Sequence, residues 1–187
     1  MSRKPRAKHG RRIPGARAGR LRDAARQVGV LLLLVVAACA PAPDPAPSSS
    51  FNATDTAWIQ LMIPMNEQLL PALALAPPEL APLAAELERS HEQELVRLKR
   101  LRERAGLPED NPHAGHQMPG LLSEADLAGL RLDPSGLPGK LREHLDQSAS
   151  LARGERDSGA DQETRDLAAS IATTRAAQIA RLGAVSP

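Results

Sequence analysis

The 187-residue chain has one cysteine, no tyrosine, one phenylalanine and one tryptophan. A single thiol, Cys39, closes no intramolecular disulfide, so the fold must rest on packing. With Phe51 and Trp58 as its aromatic residues, the chain offers no platform on which nucleic-acid bases could stack. It also lacks the alternation of Val, Ile, Thr and aromatic residues that marks strands. The apolar stretch from Val28 to Ala40 is 13 residues long, whereas a membrane-spanning helix needs about 20. No Gly-x-Ser-x-Gly, phosphate-binding loop or His-Glu-x-x-His pattern occurs. Ser90 and His91 are neighbours, but adjacent residues on a helix do not face each other. A non-enzyme is expected.

What is present begins with a basic arm and a short apolar run, Leu31 to Cys39, that ends in small residues. A basic region, an apolar core and small residues before a cut describe a secretory signal peptide. Val36-Ala37-Ala38-Cys39 resembles the bacterial lipobox, whose cysteine becomes the lipid-modified first residue. Residues 1–38 are therefore read as a lipoprotein signal peptide and Cys39 as the lipidation site. The predicted location is the extracytoplasmic face of a bacterial membrane, reached through a lipid anchor. Arg11-Arg12 is followed by Ile13-Pro14-Gly15, which leaves the export route open.

Processing would reverse the charge. The full chain holds 24 basic and 22 acidic residues; taking away the ten basic residues and the one acid of positions 1–38 leaves 14 and 21, a net charge of −7. An acidic body has no electrostatic reason to bind nucleic acid and a mild attraction for cations. Cys39 and the Pro/Ser-rich stretch that follows it, 39–51, form a tether. At about 3.1 Å per residue in polyproline geometry, the 11 residues from Ala40 to Ser50 reach roughly 30 Å.

Residues 52–184 read as one helical domain. The first helix is expected over Asp55–Ala76, capped by Thr54, bent at Pro64 and ended or kinked at Pro71. The second follows Pro77-Pro78 and runs to Ala105, with Gly106 just beyond its end. Its apolar stripe, Leu80, Leu83, Leu87, His91, Leu95, Leu98 and Leu101 or Arg102, steps by three and four. A third helix covers Leu137–Arg156. The fourth covers Asp161–Leu182, with Leu167, Ile171, Ile179 and Leu182 on one face. A short helix, Glu124–Leu130, is expected after Ser123, with Asp126 completing a capping box. Charged runs such as Lys99 to Arg104 read as solvated faces with i,i+4 pairs.

The second and fourth helices repeat each other. Leu83-Ala84-Ala85-Glu86-Leu87 matches Leu167-Ala168-Ala169-Ser170-Ile171, and Glu94-Leu95-Val96-Arg97-Leu98 matches Gln178-Ile179-Ala180-Arg181-Leu182, both at an offset of 84. Upstream, Glu67-Gln68 parallels Asp146-Gln147 at an offset of 79. Neither hairpin could hide its apolar stripe alone. The expected architecture is all-α: an antiparallel four-helix bundle, ferritin-like, built from repeat one (52–106) and repeat two (137–184), with a short extra helix in the linker 107–136.

On these motifs the chain resembles the exported bacterial proteins of domain of unknown function 305. Their repeats carry a Met-Ile-x-His-His-type motif on the first helix and a Gln-x-x-Glu-Ile-type stretch on the second. The matching segments here are Met62-Ile63-Pro64-Met65-Asn66-Glu67-Gln68 and Leu141-Arg142-Glu143-His144-Leu145-Asp146-Gln147, then His91-Glu92-Gln93-Glu94-Leu95 and Arg175-Ala176-Ala177-Gln178-Ile179. The linker sequence Met118-Pro119-Gly120 resembles a Met-Pro-Gly segment found between the repeats of many members. The resemblance covers about 55–183 and implies a duplicated helical fold. Members with intact His-His pairs are associated with copper or silver. Here Met65, Asn66 and Leu145 stand at three of the four histidine places and His144 at the fourth, so the resemblance implies a degenerate site.

Read by chemistry alone, His113, His116 and Met118 are the densest donor set, two imidazoles and a thioether within six residues. Imidazole and thioether together suit copper, and soft sulfur favours Cu(I). The secondary candidates are His144 with Met65 and Met62, and His91. His91 lies on the apolar stripe and should point inward as a hydrogen-bonded core residue with Glu94 one turn away. His144 is expected at the surface or boundary, or inside near Met65 and Met62. An inward Arg175 would repel a cation. The chain is thus expected to be a lipid-anchored helical protein with weak copper or silver binding. The alternative is a metal-free module that meets another envelope protein.

Overall fold

The computed structural model describes residues 50–185. The expected signal peptide, the expected lipidation site Cys39 and the expected tether up to residue 49 lie outside the described residues. Within them the protein is all-α. Four long helices, α1 (Ala53–Leu73), α2 (Ala81–Arg104), α4 (Leu137–Ser158) and α5 (Gln162–Val185), are joined by a linker that carries the short α3 (Glu124–Leu132) and a 3₁₀ turn, Pro134–Gly136. Among the described residues, no helix is long and apolar enough to cross a membrane.

The helix ends follow local chemistry. At α1 the cap is Asn52, two residues before the predicted Thr54. The Asn52 side chain accepts from the Thr54 and Asp55 N–H groups, while Asp55 reaches back to the Asn52 N–H in a capping box. Helical structure continues through Pro64 and Pro71, so neither proline ends α1. α2 closes as predicted at Gly106, φ 66°, in a Schellman arrangement. The Leu107 N–H reaches the Arg102 carbonyl and the Gly106 N–H reaches that of Glu103. Ser123 and Asp126 form the capping box expected at α3. The Asp161 carboxylate accepts from the Thr164 N–H at the start of α5.

Packing is densest between α4 and α5 and between α1 and α2; α1 also meets α4, and α2 meets α5. The buried apolar residues form two clusters. One gathers Leu69, Leu83, Leu87, Leu141, Leu145 and Leu182; the other gathers Met62, Met65, Leu95, Leu98, Ala152 and Ile171. Ile179 is half-buried, and Arg175 and Gln178 take the inward places on α5. Basic residues pair between elements rather than only along one helix: Lys99 with Glu67, Arg104 with Asp161 and Glu163, and Arg181 with Glu86.

Candidate functional site

Between the two apolar clusters lies a buried polar layer to which all four long helices contribute. On α2, His91 and Glu94 fall between Leu87 of one cluster and Leu95 of the other. Asn66 of α1, Ser148 of α4, and Arg175 and Gln178 of α5 occupy the corresponding intervals, and His144 of α4 lies next to Leu145 at the edge of its interval. His91, Asn66, His144, Ser148, Arg175 and Gln178 are wholly buried.

Half of this layer is an ion pair. Arg175 grips Glu94 with two guanidinium nitrogens at 3.0 and 2.5 Å, donates from Nε to Ser148 Oγ at 3.0 Å, and reaches Gln178 Oε1 at 3.0 Å. Asn66 Nδ2 donates to Glu94 at 3.1 Å, and Gln178 Nε2 donates to Ser90 Oγ at 3.0 Å. Glu94 thus partners Arg175 and Asn66, not the expected His91. Two charges in an apolar interior are tolerable only when paired and hydrogen-bonded in this way.

The other half is a pair of imidazoles. His91 Nδ1 lies 2.7 Å from the Leu87 carbonyl, and His144 Nδ1 lies 2.9 Å from the Gly120 carbonyl. A carbonyl only accepts, so both Nδ1 atoms must carry the hydrogen. The two Nε2 atoms then face each other 3.1 Å apart. Burial first, and then the charge of Arg175, push both pKa values down, that of His144 to about 3. With both rings neutral, two lone pairs confront each other without a donor between them. His144 is buried rather than at the surface or boundary, and there it meets His91 of α2.

The linker completes this half. Gly120 has a φ of 75°, and a Cβ there would stand 2.8 Å from Gln147 Cβ and 3.2 Å from His144 Cα. Only glycine lets the chain pass this close to α4 and aim its carbonyl at the imidazole.

The primary donor set is more loosely arranged. The rings of His113 (half-buried) and His116 (exposed) sit 5.9 Å apart, edge to face. They line a hollow of about 330 Å³ together with Gln68. Met118 packs instead against the apolar cluster around Trp58 and Met62. Met62 and Met65 are themselves buried in that cluster. Among the described residues, no three His, Cys, Asp or Glu side chains come together to hold a metal ion.

Neither a family model nor a curated protein matches the chain. A solved structure does: the crystal structure of a DUF305 fragment from Deinococcus radiodurans, with a TM-score of 0.64 and 21% identity over 72% of this chain and 96% of that one. This chain has a DUF305-like fold. At that identity the likeness fixes the path of the helices and leaves the side chains of the polar layer to be argued from this chain alone. Within the DUF305-like frame, the positions matched by the two sequence offsets carry different residues. His91 corresponds to Arg175 and Glu94 to Gln178 at the offset of 84, while Met65 corresponds to His144 at the offset of 79. The inward arginine was legible as the partner of His91 by repeat. Its grip on Glu94 was not, because only the packing of α2 against α5 brings them together.

Proposed function

We propose that this chain is an exported lipoprotein, anchored through Cys39 to the extracytoplasmic face of a bacterial membrane, that binds one soft monovalent ion, Cu(I) or Ag(I), between His91 and His144. The body is an antiparallel four-helix bundle of two repeated hairpins. Its support is the order of the apolar clusters along each helix. α1 and α5 run from the Met62 cluster to the Leu69 cluster, and α2 and α4 run the other way. The role is binding, not catalysis.

The observation that carries this reading is the convergence of two neutral Nε2 lone pairs whose partner nitrogens are locked by backbone carbonyls. Such locking is how proteins fix the tautomer and direction of a metal-binding histidine. Imidazole suits copper, and a dry, apolar surround suits a singly charged ion better than a doubly charged one. The Arg175 charge that would repel a cation is answered locally by Glu94. When bound, the ion would supply the positive charge that two facing lone pairs lack. His91 and His144 would hold it, and their full burial would keep water away.

Titration of the mature protein with Ag(I) or Cu(I) against a competing chelator tests this. One ion per chain is expected, with affinity falling at least tenfold in His91→Gln and in His144→Gln and unchanged in His113→Gln/His116→Gln. Loss in the loop variant alone would move the site to the linker. Wild-type binding no tighter than micromolar would reject a metal role. A metal-free envelope-protein module would then be the better reading, and the 3.1 Å spacing of the two nitrogens, shorter than two metal–imidazole bonds of about 2 Å end to end, favours it. Pull-down from membranes with and without a chelator separates the two.

A further inference from the structure

The turn between α4 and α5 closes over the first turn of α1 and brings three acidic side chains together, each with a different supply of donors. Asp55, fully buried, accepts from the N–H groups of Asn52 at 2.6 Å, Ala160 at 3.0 Å and Asp161 at 3.1 Å. Asp161 accepts from the Thr164 N–H and hydroxyl and from Ser50 Oγ, and it pairs with Arg104. Glu155 has nothing of the kind. It is 1% exposed, and no N–H or hydroxyl group donates to either carboxyl oxygen.

Gly159 shows where that carboxyl group lies. A Cβ added there would overlap Glu155 Oε1 and stand 2.8 Å from Asp55 Oδ1. The Glu155 and Asp55 carboxyl groups therefore meet at the α-carbon of the same glycine. A buried carboxylate without donors is costly on its own, and a second carboxylate beside it makes the charge costlier still. Asp55, with three backbone donors, is the one equipped to stay ionised. What Glu155 lacks is a hydrogen, and a protonated Glu155 has one to donate.

We propose that Glu155 is kept as a neutral carboxylic acid that donates its O–H to ionised Asp55, so that a single proton latches the α4–α5 turn to the N-terminus of α1 and alkaline conditions release it. The same turn is held by Asn52, whose side-chain amide donates to the Ser158 carbonyl at 2.9 Å. The latch therefore sits where the tether enters the helical domain.

The surrounding charges bear on its release. Burial, the hydrogen bond to Asp55 and then the charge of Asp55 push the Glu155 pKa up to about 8; Arg165 of α5 opposes this and Asp161 adds to it. Arg104 of α2 is engaged by Asp161 and Glu163, and Arg156 by Asp157. Because the folded pKa lies above the ordinary 4.5, the latch contributes fully below about pH 4.5, and its contribution is lost as pH rises through about 8.

The test is the melting temperature of the full mature protein from pH 5 to 9, beside Glu155→Gln. The glutamine offers an N–H to Asp55 and cannot ionise. The wild type should lose stability toward pH 9, the variant should have a flatter profile, and the variant should be the more stable of the two at pH 9. Parallel profiles would overturn the proposal. Should the variant fail to fold, infrared spectroscopy of the wild type decides. A carboxylic-acid C=O band present at pH 7 and gone by pH 9 supports the latch, and no such band at pH 7 refutes it.

Discussion

Glu94 and Arg175 are the residues whose burial demands most explanation, because an ion pair in an apolar core rarely stabilises more than well-packed hydrophobic residues would. Its removal one partner at a time is another matter. Glu94→Gln leaves the Arg175 guanidinium buried without a counter-charge and is expected to destabilise by about 3–5 kcal/mol, read by urea or thermal unfolding. Removing both charges, as Glu94→Gln with Arg175→Met, is expected to recover most of that loss. A double variant whose loss equals the sum of the two single losses would show that the pair is not coupled. Gly120→Ala acts on the other half of the layer. A positive φ and the overlap with Gln147 together predict a cost of about 2–3 kcal/mol. If the Gly120 carbonyl orients His144, the same variant weakens Ag(I) binding as well. At this scale the sequence told which side chains turn inward on α2, because Leu83, Leu87, His91 and Leu98 keep helical spacing. It could not tell that His91 meets His144, since a contact between residues 53 apart in sequence is set by how the hairpins dock.

At the scale of elements, the legible boundaries are those written by local hydrogen bonding. Gly106 and the Ser123–Asp126 box fall where they were predicted because their chemistry is complete within five or six residues. The start of α1 was misplaced because Asn52 and Thr54 are both competent caps, and nothing local ranks them. Asn52 prevails for two reasons that the fold adds: Asp55 sits at the third helical position to return the bond, and the Ser158 carbonyl takes the amide N–H. Asn52→Ala is therefore expected to cost about 1 kcal/mol or slightly more, and Thr54→Ala much less, as measured by thermal denaturation. The reverse ranking would restore Thr54 as the cap. Pro64 and Pro71 do not interrupt α1. Each removes one backbone donor, yet α1 is buried along Trp58, Ile59, Met62, Met65 and Leu69, and packing outweighs the missing bonds.

For the whole molecule, the proposed duplication makes a prediction that the polar layer sharpens. Each proposed hairpin carries one apolar face and part of the layer: α2 holds Glu94 and His91, α4 holds His144 and α5 holds Arg175. A separated hairpin would expose its leucine stripe and leave a charged residue without its partner, so neither is expected to be stably helical alone. Residues 52–106 and 120–185, produced as separate chains, should each give weak circular dichroism at 222 nm and regain helicity when mixed in equal amounts. The same mixture made with Glu94→Gln should recover less. A 52–106 hairpin that is fully helical and monomeric by itself would mean that α1 and α2 hold together without the second repeat. The polar layer would then be a consequence of docking instead of a condition for folding. The distinction is physical: α1 and α2 share wide contact, but the inward faces of both also close on α4 and α5, and it is that second closure which takes Glu94 and His91 out of water.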